Sequence, residues 1–484
     1  MAPHLQPWRD ASLWASSLPD APSGHPHLPE RVDVAVIGGG VTGLVCAAVL
    51  QRAGLDVLVL ERHDTVGGVT TRGSTGKLTA LQGQKLLSIA EHRGTDAVAD
   101  YAAAAQLGVA GLRDLVRELG IDCALTDAAD HTFATDRDAV PTATQVLEVA
   151  RAAGLPVEWV ESTELPVPVI GAVRLADQAH LDPGALCAGL AEVLGDRVVP
   201  SCPVRHLEES ANGVELRLDD DVRLRADHVV VATLGPMHDP AQLSTRCSAL
   251  RSYVVAAPIE HPLHDTHISV DQAPRSIRPA TIDGRPAVLV AGAGHVVAEP
   301  EGRTAQQRWS ELEAYALTLG AGPATHAWVA HDLVPSDHVP FIGRISPGAR
   351  RVLVATGFAK WGISTAMAAA DLFLGELEAR PRPWATTFDP TRIAPTLTKD
   401  FVSGGLRAVR HLVWDRVADV LHRAPPRPRC THLGCELSFD EAQATWDCAC
   451  HGSRFDADGR VVSGPAVTDL DLAAIRRAQA REAS

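Results

Sequence analysis

Positive charge is scarce in this amino-acid sequence. Among its 484 residues, Lys and Arg number 44 against 59 Asp and Glu, which gives a formal net charge of −15. A protein that binds nucleic acid needs a basic face for the phosphate backbone, so this balance argues against that class. The apolar fraction of 46% supplies a sizeable core and excludes a wholly disordered chain. A soluble enzyme acting on a small molecule fits both observations.

Export signals and long apolar runs are also lacking. The first thirty residues are polar and rich in proline, without a basic segment followed by an apolar one. The longest apolar stretch, Val34 to Leu50, contains four glycines and a threonine and leads into a patterned strand–helix unit. We therefore expect no transmembrane segment and a cytoplasmic location.

Cysteine is too infrequent for a disulfide scaffold, with 9 residues in the whole chain. Four of them fall within one short C-terminal stretch, at Cys430, Cys435, Cys448 and Cys450. The other five stand in apolar surroundings and are expected to be small buried hydrophobes: Cys46, Cys123, Cys187, Cys202 and Cys247. The grouped cysteines are therefore the candidates for chemistry.

A complete dinucleotide-binding pattern begins at residue 32. VDVAVIG predicts a buried parallel strand, GGVTGLVCAAVLQRAG predicts a helix opened by glycines, and LDVLVLE predicts a second buried strand. Gly38 permits the tight turn, Gly40 lets the backbone approach a pyrophosphate, and Gly43 lets helix and strand pack closely. Glu61 ends the second strand, where its carboxylate can accept hydrogen bonds from a ribose diol.

The remaining pattern indicates a mixed α/β chain. Residues 85–170 are predicted to be mainly helical, with amphipathic stretches around 95–119 and 142–153. GVELRLDD and VRLRADHVVVAT predict strands, and the segment from Arg350 predicts a strand, a glycine turn and a long helix. Residues 401–421 carry one apolar stripe, which predicts a helix packed on the body, with a membrane-surface contact as the alternative. Residues 423–429 are predicted to be a stiff linker.

Over about residues 30–380 the chain resembles the amino-acid-oxidase-type (DAO) family of FAD-dependent oxidoreductases. The resemblance is carried by the full glycine pattern, STGKLTALQG at 74–83, ADHVVVAT at 226–233, the 337–343 stretch and ATGF at 355–358. It implies that Gly357, Gly362 and Ile363 lie near the flavin ring, and that the helix beginning near Ser364 stabilises negative charge there. The other residues it implies as FAD-binding are Gly38, Gly40, Gly43, Glu61, Arg62, Gly68, Lys77 and Val204.

The same resemblance implies a reaction at a C–N bond next to a carboxylate. Arg275 and Arg278 are candidates to clamp that carboxylate, the alternative being surface arginines with local partners. Lys360 either stabilises the reduced flavin or is a solvated loop lysine. Only one complete dinucleotide pattern is present, which favours an organic substrate as hydride donor over NAD(P)H. A flavin monooxygenase reduced by NAD(P)H stays open as an alternative.

Two histidines accompany the C-terminal cysteines at a spacing typical of metal binding. Cys430-x-His432 and Cys448-x-x-His451 can hold a [2Fe–2S] cluster with two thiolates on one iron and two imidazoles on the other, and a structural zinc site is the alternative.

This stretch is similar to the Rieske motif, particularly that of respiratory chains, and the resemblance implies a disulfide between Cys435 and Cys450. Residues 401–429 leave almost no room for the strands that usually precede the first ligand loop. We therefore expect a shortened Rieske-like domain, which leaves a vestigial or zinc-binding module as a further alternative.

Together these features predict an α/β fold with a small all-β module. The predicted division is an N-terminal extension (1–30), a Rossmann-like FAD-binding domain (31–84, 171–235 and 331–385), an α+β substrate domain (85–170 and 236–330), a helix and linker (386–424) and a Rieske-like domain (425–484). The predicted function is a dehydrogenase that takes a hydride from a small amine or amino acid. A one-electron cluster beside a two-electron flavin implies delivery to an external one-electron acceptor or a quinone.

Overall fold

The computed structural model describes residues 12–18, 28–297, 302–392 and 428–473. The predicted helix over 401–421 and most of the predicted linker lie outside the described residues. Three β-sheets organise the described part of the chain, and the functional candidates lie where these sheets meet.

The N-terminal glycine-rich unit belongs to an eight-stranded sheet. Its strands are β1 (Arg31–Ile37), β2 (Val57–Leu60), β7 (Val198–Val199), β8 (His206–Ser210), β9 (Gly213–Arg217), β10 (Arg223–Val231), β16 (Phe341–Arg344) and β17 (Val352–Thr356). Strands β17, β10, β1, β2 and β7 lie side by side and parallel, with antiparallel pairs at β16 and β9. Val34 and Val36 pack into one apolar cluster and Ala35 and Ile37 into another, so both faces of β1 are covered as predicted.

Helices cover one face of this sheet and flank the second. The described α-helices are α1 (Val41–Arg52), α2 (Thr70–Gly73), α3 (Lys85–Leu119), α4 (Val140–Ala152), α5 (Pro183–Leu194), α6 (Ala305–Thr318), α7 (Gly362–Leu377) and α8 (Ala385–Phe388). Short 3₁₀ turns occupy Leu13–Ser17, Arg137–Ala139, Gly195–Arg197, Asp219–Asp221 and Leu243–Arg246. No described helix combines the length and the apolar character that crossing a bilayer requires.

The second sheet has nine strands. They are β3 (Lys77–Leu78), β4 (Thr126–Ala134), β5 (Glu158–Val160), β6 (Gly171–His180), β11 (Cys247–Pro258), β12 (Thr266–Ser269), β13 (Arg275–Ile282), β14 (Arg285–Val296) and β15 (His326–Pro335). The sequence-based division placed β3, β6 and part of β15 with the FAD-binding domain, whereas their hydrogen bonds join them to this sheet.

Residues 85–170 are mainly helical as predicted, but the range also contains the strands β4 and β5, which were not predicted. Helices α3 and α4 occupy the two amphipathic stretches, but β4 lies between them. Its buried side chains include Asp130, His131 and Thr132, and the carboxylate of Asp130 accepts the hydroxyls of Thr79 and Thr266. Because these residues are polar, the apolar alternation that would predict a strand is missing.

The third sheet is a small antiparallel meander at the C-terminus. Its strands are β18 (Leu437–Asp440), β19 (Thr445–Cys448), β20 (Arg454–Asp456) and β21 (Val461–Ser463). Phe455 and Val461 share a buried cluster with Cys430, Cys435 and Cys448. We call residues 428–473 the cluster module.

Candidate functional site

The turn between β1 and α1 has the close packing that the glycine pattern predicts. Gly38 has a φ of +113°, and a Cβ atom at Gly43 would lie 2.0 Å from the carbonyl oxygen of Gly38. Glu61 braces the turn, because its two carboxylate oxygens accept the N–H groups of Gly39 (2.6 Å) and His63 (2.8 Å). Residue 43 must therefore lack a side chain for α1 to begin directly behind the turn.

A cavity of about 710 Å³ extends from this turn to the second sheet. Its size lies within the range of about 300–1,000 Å³ that is usual for ligand sites. Most of the predicted cofactor residues line it: Gly38, Gly40, Glu61, Arg62, Gly68, Lys77, Val204, Gly357, Gly362 and Ile363. Gly43 and Ser364 lie behind its wall, where the Ser364 hydroxyl accepts the N–H of Thr79 (3.0 Å).

The donor set of this cavity fits FAD. Bare backbone at Gly38 and Gly40 meets the N-terminus of α1, where the positive end of the helix dipole favours a pyrophosphate. Glu61 lies on the same wall, where a carboxylate can receive a ribose hydroxyl. The opposite end is formed by the turn 357–363 that opens α7. An extended dinucleotide would therefore find suitable groups along the whole cavity.

Lys360 lies in this late turn and lines the cavity. Ala359 and Lys360 have φ values of +50° and +80°, and their N–H groups donate to Leu333 O (3.1 Å) and Asp332 Oδ1 (3.0 Å). Partial burial raises the pKa of Asp332 to about 6, against the opposing charge of Lys360. Sequence reasoning missed Asp332, because no local pattern links it to a turn 28 residues away.

Lys77 brings a second amine to the cavity. Its Nζ donates to His267 O (2.8 Å) and lies 4.0 Å from Asp130 Oδ1. Burial, opposed by the charge of Asp130 and assisted by that of Arg278, lowers the pKa of Lys77 to about 8. Asp130 also accepts the hydroxyl of Thr79 (3.1 Å). Asp130 is a site residue that sequence reasoning missed, since it stands in the strand β4 that the pattern concealed.

The two candidate carboxylate-binding arginines occupy different places. Arg275 lines the cavity, where its guanidinium pairs with Glu311 and donates to two neighbouring carbonyls. Arg278 is buried outside the lining and donates to the carbonyl oxygens of Thr75, Leu181 and Pro279. The structure therefore does not bring Arg278 to a carboxylate site, because its guanidinium donates hydrogen bonds to backbone carbonyls.

The four candidate ligands of the C-terminal motif converge in the cluster module. The rings of His432 and His451 lie 5.1 Å apart and perpendicular, and both Nδ1 atoms are buried without a hydrogen-bond partner among the described residues. Hydrogen bonding to the Cys448 sulfur lowers the pKa of Cys430 to about 7. Two facing thiols beside two unpartnered imidazole nitrogens are the donor set of a mixed-ligand [2Fe–2S] cluster, so these residues fit that group.

The remaining two cysteines tie the ligand loops together. Cys435 and Cys450 form the disulfide that the resemblance implies. In the described residues, the sulfurs of Cys435, Cys448 and Cys450 also lie within 4.8 Å of one another. Because two of these sulfurs are bonded to each other, that group is not a ligand set.

The cluster module closes one side of the cavity. Its residues Val462, Ser463, Gly464 and Ala466 line the same cavity as the glycine turn of β1. The carbonyl of Val462 lies 2.9 Å from Nε2 of His63. Nothing in the sequence pattern of residues 461–466 predicts this contact, which depends on how the module docks.

A buried ion-pair group fixes that docking. Arg251 of β11 pairs with both Asp440 and Asp447 of the module, and Asp447 also accepts from Arg454 Nε (3.3 Å). The side chains of Arg251 and Asp447 are 8% and 2% exposed. A charge pair buried this deeply is costly to break by removing one partner.

Replacing Arg251 by methionine is therefore expected to lower the free energy of unfolding by about 3–5 kcal/mol. The physical reason is that Asp440 and Asp447 would each lose a cationic partner within a largely buried interface. Urea unfolding of the full-length protein measures the change. Arg350→Met, at an exposed position, is the matched control. If Arg251→Met lowers the free energy of unfolding no more than Arg350→Met does, the ion pairs of Arg251 do not stabilise the docked module.

Two family models match this chain. The model described as FAD dependent oxidoreductase (DAO) matches residues 33–374, and the Rieske [2Fe-2S] domain model matches residues 425–474. The chain is similar to YhfW of Bacillus subtilis, which carries the name of a Rieske 2Fe-2S iron-sulfur protein, with 28% identity over 95% of this chain and 96% of that protein. Its C-terminal part is 52% identical over 44 residues to the chloroplastic cytochrome b6-f complex iron-sulfur subunit of Pisum sativum, covering 9% of this chain and 19% of that protein.

Solved structures share the fold of the larger part. Glycine oxidase from Geobacillus kaustophilus aligns with a TM-score of 0.63 and 20% identity, over 75% of this chain and 100% of that one. L-Proline dehydrogenase from P. horikoshii aligns with a TM-score of 0.61 and 16% identity, over 75% and 98%. At these identities the likeness shows the fold and confirms the predicted α/β architecture.

Proposed function

Because the chain belongs to the family of FAD-dependent oxidoreductases and carries a Rieske [2Fe-2S] domain, we propose that it is a dehydrogenase of an amine or amino acid that delivers electrons to an external one-electron acceptor. Its membership confirms the predicted enzyme class and the predicted cofactors, FAD and a [2Fe-2S] cluster. One observation supports electron delivery through the cluster: residues of the cluster module line the same cavity as Gly38 and Gly357.

The proposed reaction converts a C–N single bond into an imine. The substrate loses a C–H bond and an N–H bond and forms C=N, releasing two electrons and two protons in total. When bound, FAD takes up the two electrons as a hydride, and the cluster carries one electron at a time. Two equivalents of a one-electron acceptor therefore balance one turnover. A quinone that takes both electrons balances it equally.

The chain's own residues have separable proposed roles. The glycine turn at Gly38 and Gly40 would hold the pyrophosphate, Glu61 the ribose, and the turn 357–363 the flavin end. Cys430, Cys448, His432 and His451 would hold the cluster. These assignments are supported by the cavity lining and by the unpartnered imidazole nitrogens.

The cavity wall around Glu311 carries an excess of positive charge, which supports an anionic group on the substrate. Arg275, Arg303 and Arg308 line the cavity beside this one carboxylate. This excess of positive charge suits the carboxylate of an amino acid, which an arginine can bind in bidentate fashion. Lys77, with a pKa of about 8, can hold or release a proton near neutral pH.

An anaerobic titration tests the proposal. Purified holoenzyme is mixed with a panel of amines and amino acids, while flavin absorbance and the EPR signal of the cluster are recorded. We expect one member of the panel to bleach the flavin and then to reduce the cluster. Cys448→Ser is the control, in which the flavin should bleach without a cluster signal. Bleaching by NADPH and by no member of the panel would overturn the proposal in favour of a flavin monooxygenase.

A further inference from the structure

Along β11 and β15, one layer of β-sheet lies between the central cavity and the ligand loop at residues 448–453 of the cluster module. Along β15, Ala330 and Asp332 line the cavity. The alternate residues contact the module, because His331 Nε2 lies 2.6 Å from Gln443 Oε1 and Leu333 faces the second ligand loop. This is the alternation expected of a strand, in which successive side chains point to opposite faces.

The neighbouring strand β11 repeats the arrangement. Leu250 and Ser252 line the cavity, whereas Ala249 and Arg251 contact the module. The two strands pair antiparallel with Arg251 opposite His331. The module-facing side chains of the two strands therefore form one continuous surface. We call this surface, formed by Ala249, Arg251, His331 and Leu333, the seat.

The second ligand loop rests on this seat at a glycine. A Cβ atom at Gly452 would lie 3.1 Å from Ala249 Cβ and 3.3 Å from Leu333 Cδ2. Gly452 directly follows His451 and donates its N–H to Cys448 O (3.0 Å), so it belongs to the turn that presents both ligands. The backbone of the loop therefore lies next to Ala249 and Leu333, with no space for a side chain at residue 452.

The late turn of the flavin site is attached to the same strand segment. Leu333 O accepts the N–H of Ala359 (3.1 Å), and Asp332 Oδ1 accepts the N–H of Lys360 (3.0 Å). Residues 332–333 of β15 thus hold the turn 357–363 while Leu333 also supports the ligand loop. The separation between the two sites is set by this short piece of one strand.

We infer that Ala249 and Leu333 are positioning residues that fix the distance between the flavin site and the cluster site. The inference rests on the proposed function, because that distance matters only if electrons pass between the two. The small side chain of Ala249 is what permits the close seat. The Arg251 ion pairs and the Gly235–Gly464 contact, where a Cβ at Gly235 would lie 2.5 Å from Gly464 O, hold the module beside it. A larger residue at 249 therefore lifts the ligand loop without releasing the module.

The test is Ala249→Leu in the full-length holoenzyme, with Ala457→Leu as the control. Ala457 is an exposed residue of the same module, in the turn between β20 and β21. A laser flash with EDTA as electron donor reduces the flavin independently of any substrate, and the rate of cluster reduction is then followed. We expect a rate about tenfold or more lower in Ala249→Leu, since small misplacements of reacting groups have effects of this size. The cluster's midpoint potential and EPR line shape should stay unchanged, while amide exchange over 448–453 should increase.

The outcomes separate the two ideas. Absence of cluster reduction in the unmodified enzyme would overturn the proposed function and this inference together. Transfer in the unmodified enzyme with an unchanged rate in Ala249→Leu would overturn the inference alone. Ala249→Val introduces a smaller side chain and replaces the leucine variant if that variant does not fold. The inference requires cluster reduction in Ala249→Val to be slower than in the unmodified enzyme. Where Ala249→Leu folds, its rate must be lower still.

Discussion

Replacing His451 by alanine is expected to abolish the EPR signal of the dithionite-reduced protein while FAD stays bound at full stoichiometry. The Nδ1 atom of His451 is buried and has no protein partner among the described residues, which leaves it available as the iron ligand that we propose. The residues expected to bind the pyrophosphate and ribose of FAD belong to the glycine turn of β1 and to β2. Removing the imidazole of His451 should therefore cause loss of the cluster and not of FAD.

The control and the chemistry of the metal complete this test. His264→Ala removes an exposed histidine on the body and should leave the signal intact. Analysis of the unmodified protein should find two irons and acid-labile sulfide. Zinc without iron would contradict the cluster and favour the structural-zinc alternative, and loss of FAD together with the signal would show that the two sites do not act as separate units.

The parts of the fold that the sequence predicted are those with strong local patterns. The glycine turn follows from Gly38, Gly40 and Gly43, because each needs a missing side chain for a separate steric reason. Likewise, the ligand loops follow from the spacing of cysteines and histidines over a few residues. In both cases the chemistry and the sequence separation are local, so no knowledge of the tertiary structure is needed.

The parts that could not be predicted depend on contacts between distant residues. Arg278 looked like a substrate ligand, but it contacts Thr75, which is 203 residues away in sequence, and it holds backbone there. Asp447 joins Arg251 across 196 residues, and no pattern near either residue indicates a partner. Strand β4 was concealed for a different reason, because buried polar groups such as Asp130 interrupt the apolar alternation. Sequence periodicity reports burial of apolar groups and not which distant polar groups will pair.

Gly43→Val is the second substitution for which a complete loss is expected, here the loss of bound FAD. The new Cβ would lie 2.0 Å from Gly38 O, and this neighbour is backbone that cannot rotate away. Gly38 is itself held in the sheet, since its N–H donates to Leu60 O (2.9 Å). Overpacking costs about 1–3 kcal/mol where side chains can adjust, and a backbone contact in the phosphate-binding turn should cost more.

The flavin absorbance that remains after gel filtration measures this loss. Gly348→Ala is the matched control, because a Cβ at Gly348 meets no atom within 4 Å, and it should retain full FAD. Gly43→Ala introduces the same clash with fewer atoms, so it should also lose FAD, and it serves where the valine variant is insoluble. Stoichiometric FAD in a folded Gly43 variant would mean that the turn between β1 and α1 can open. The close approach of α1 to β1 would then not be what creates the pyrophosphate site.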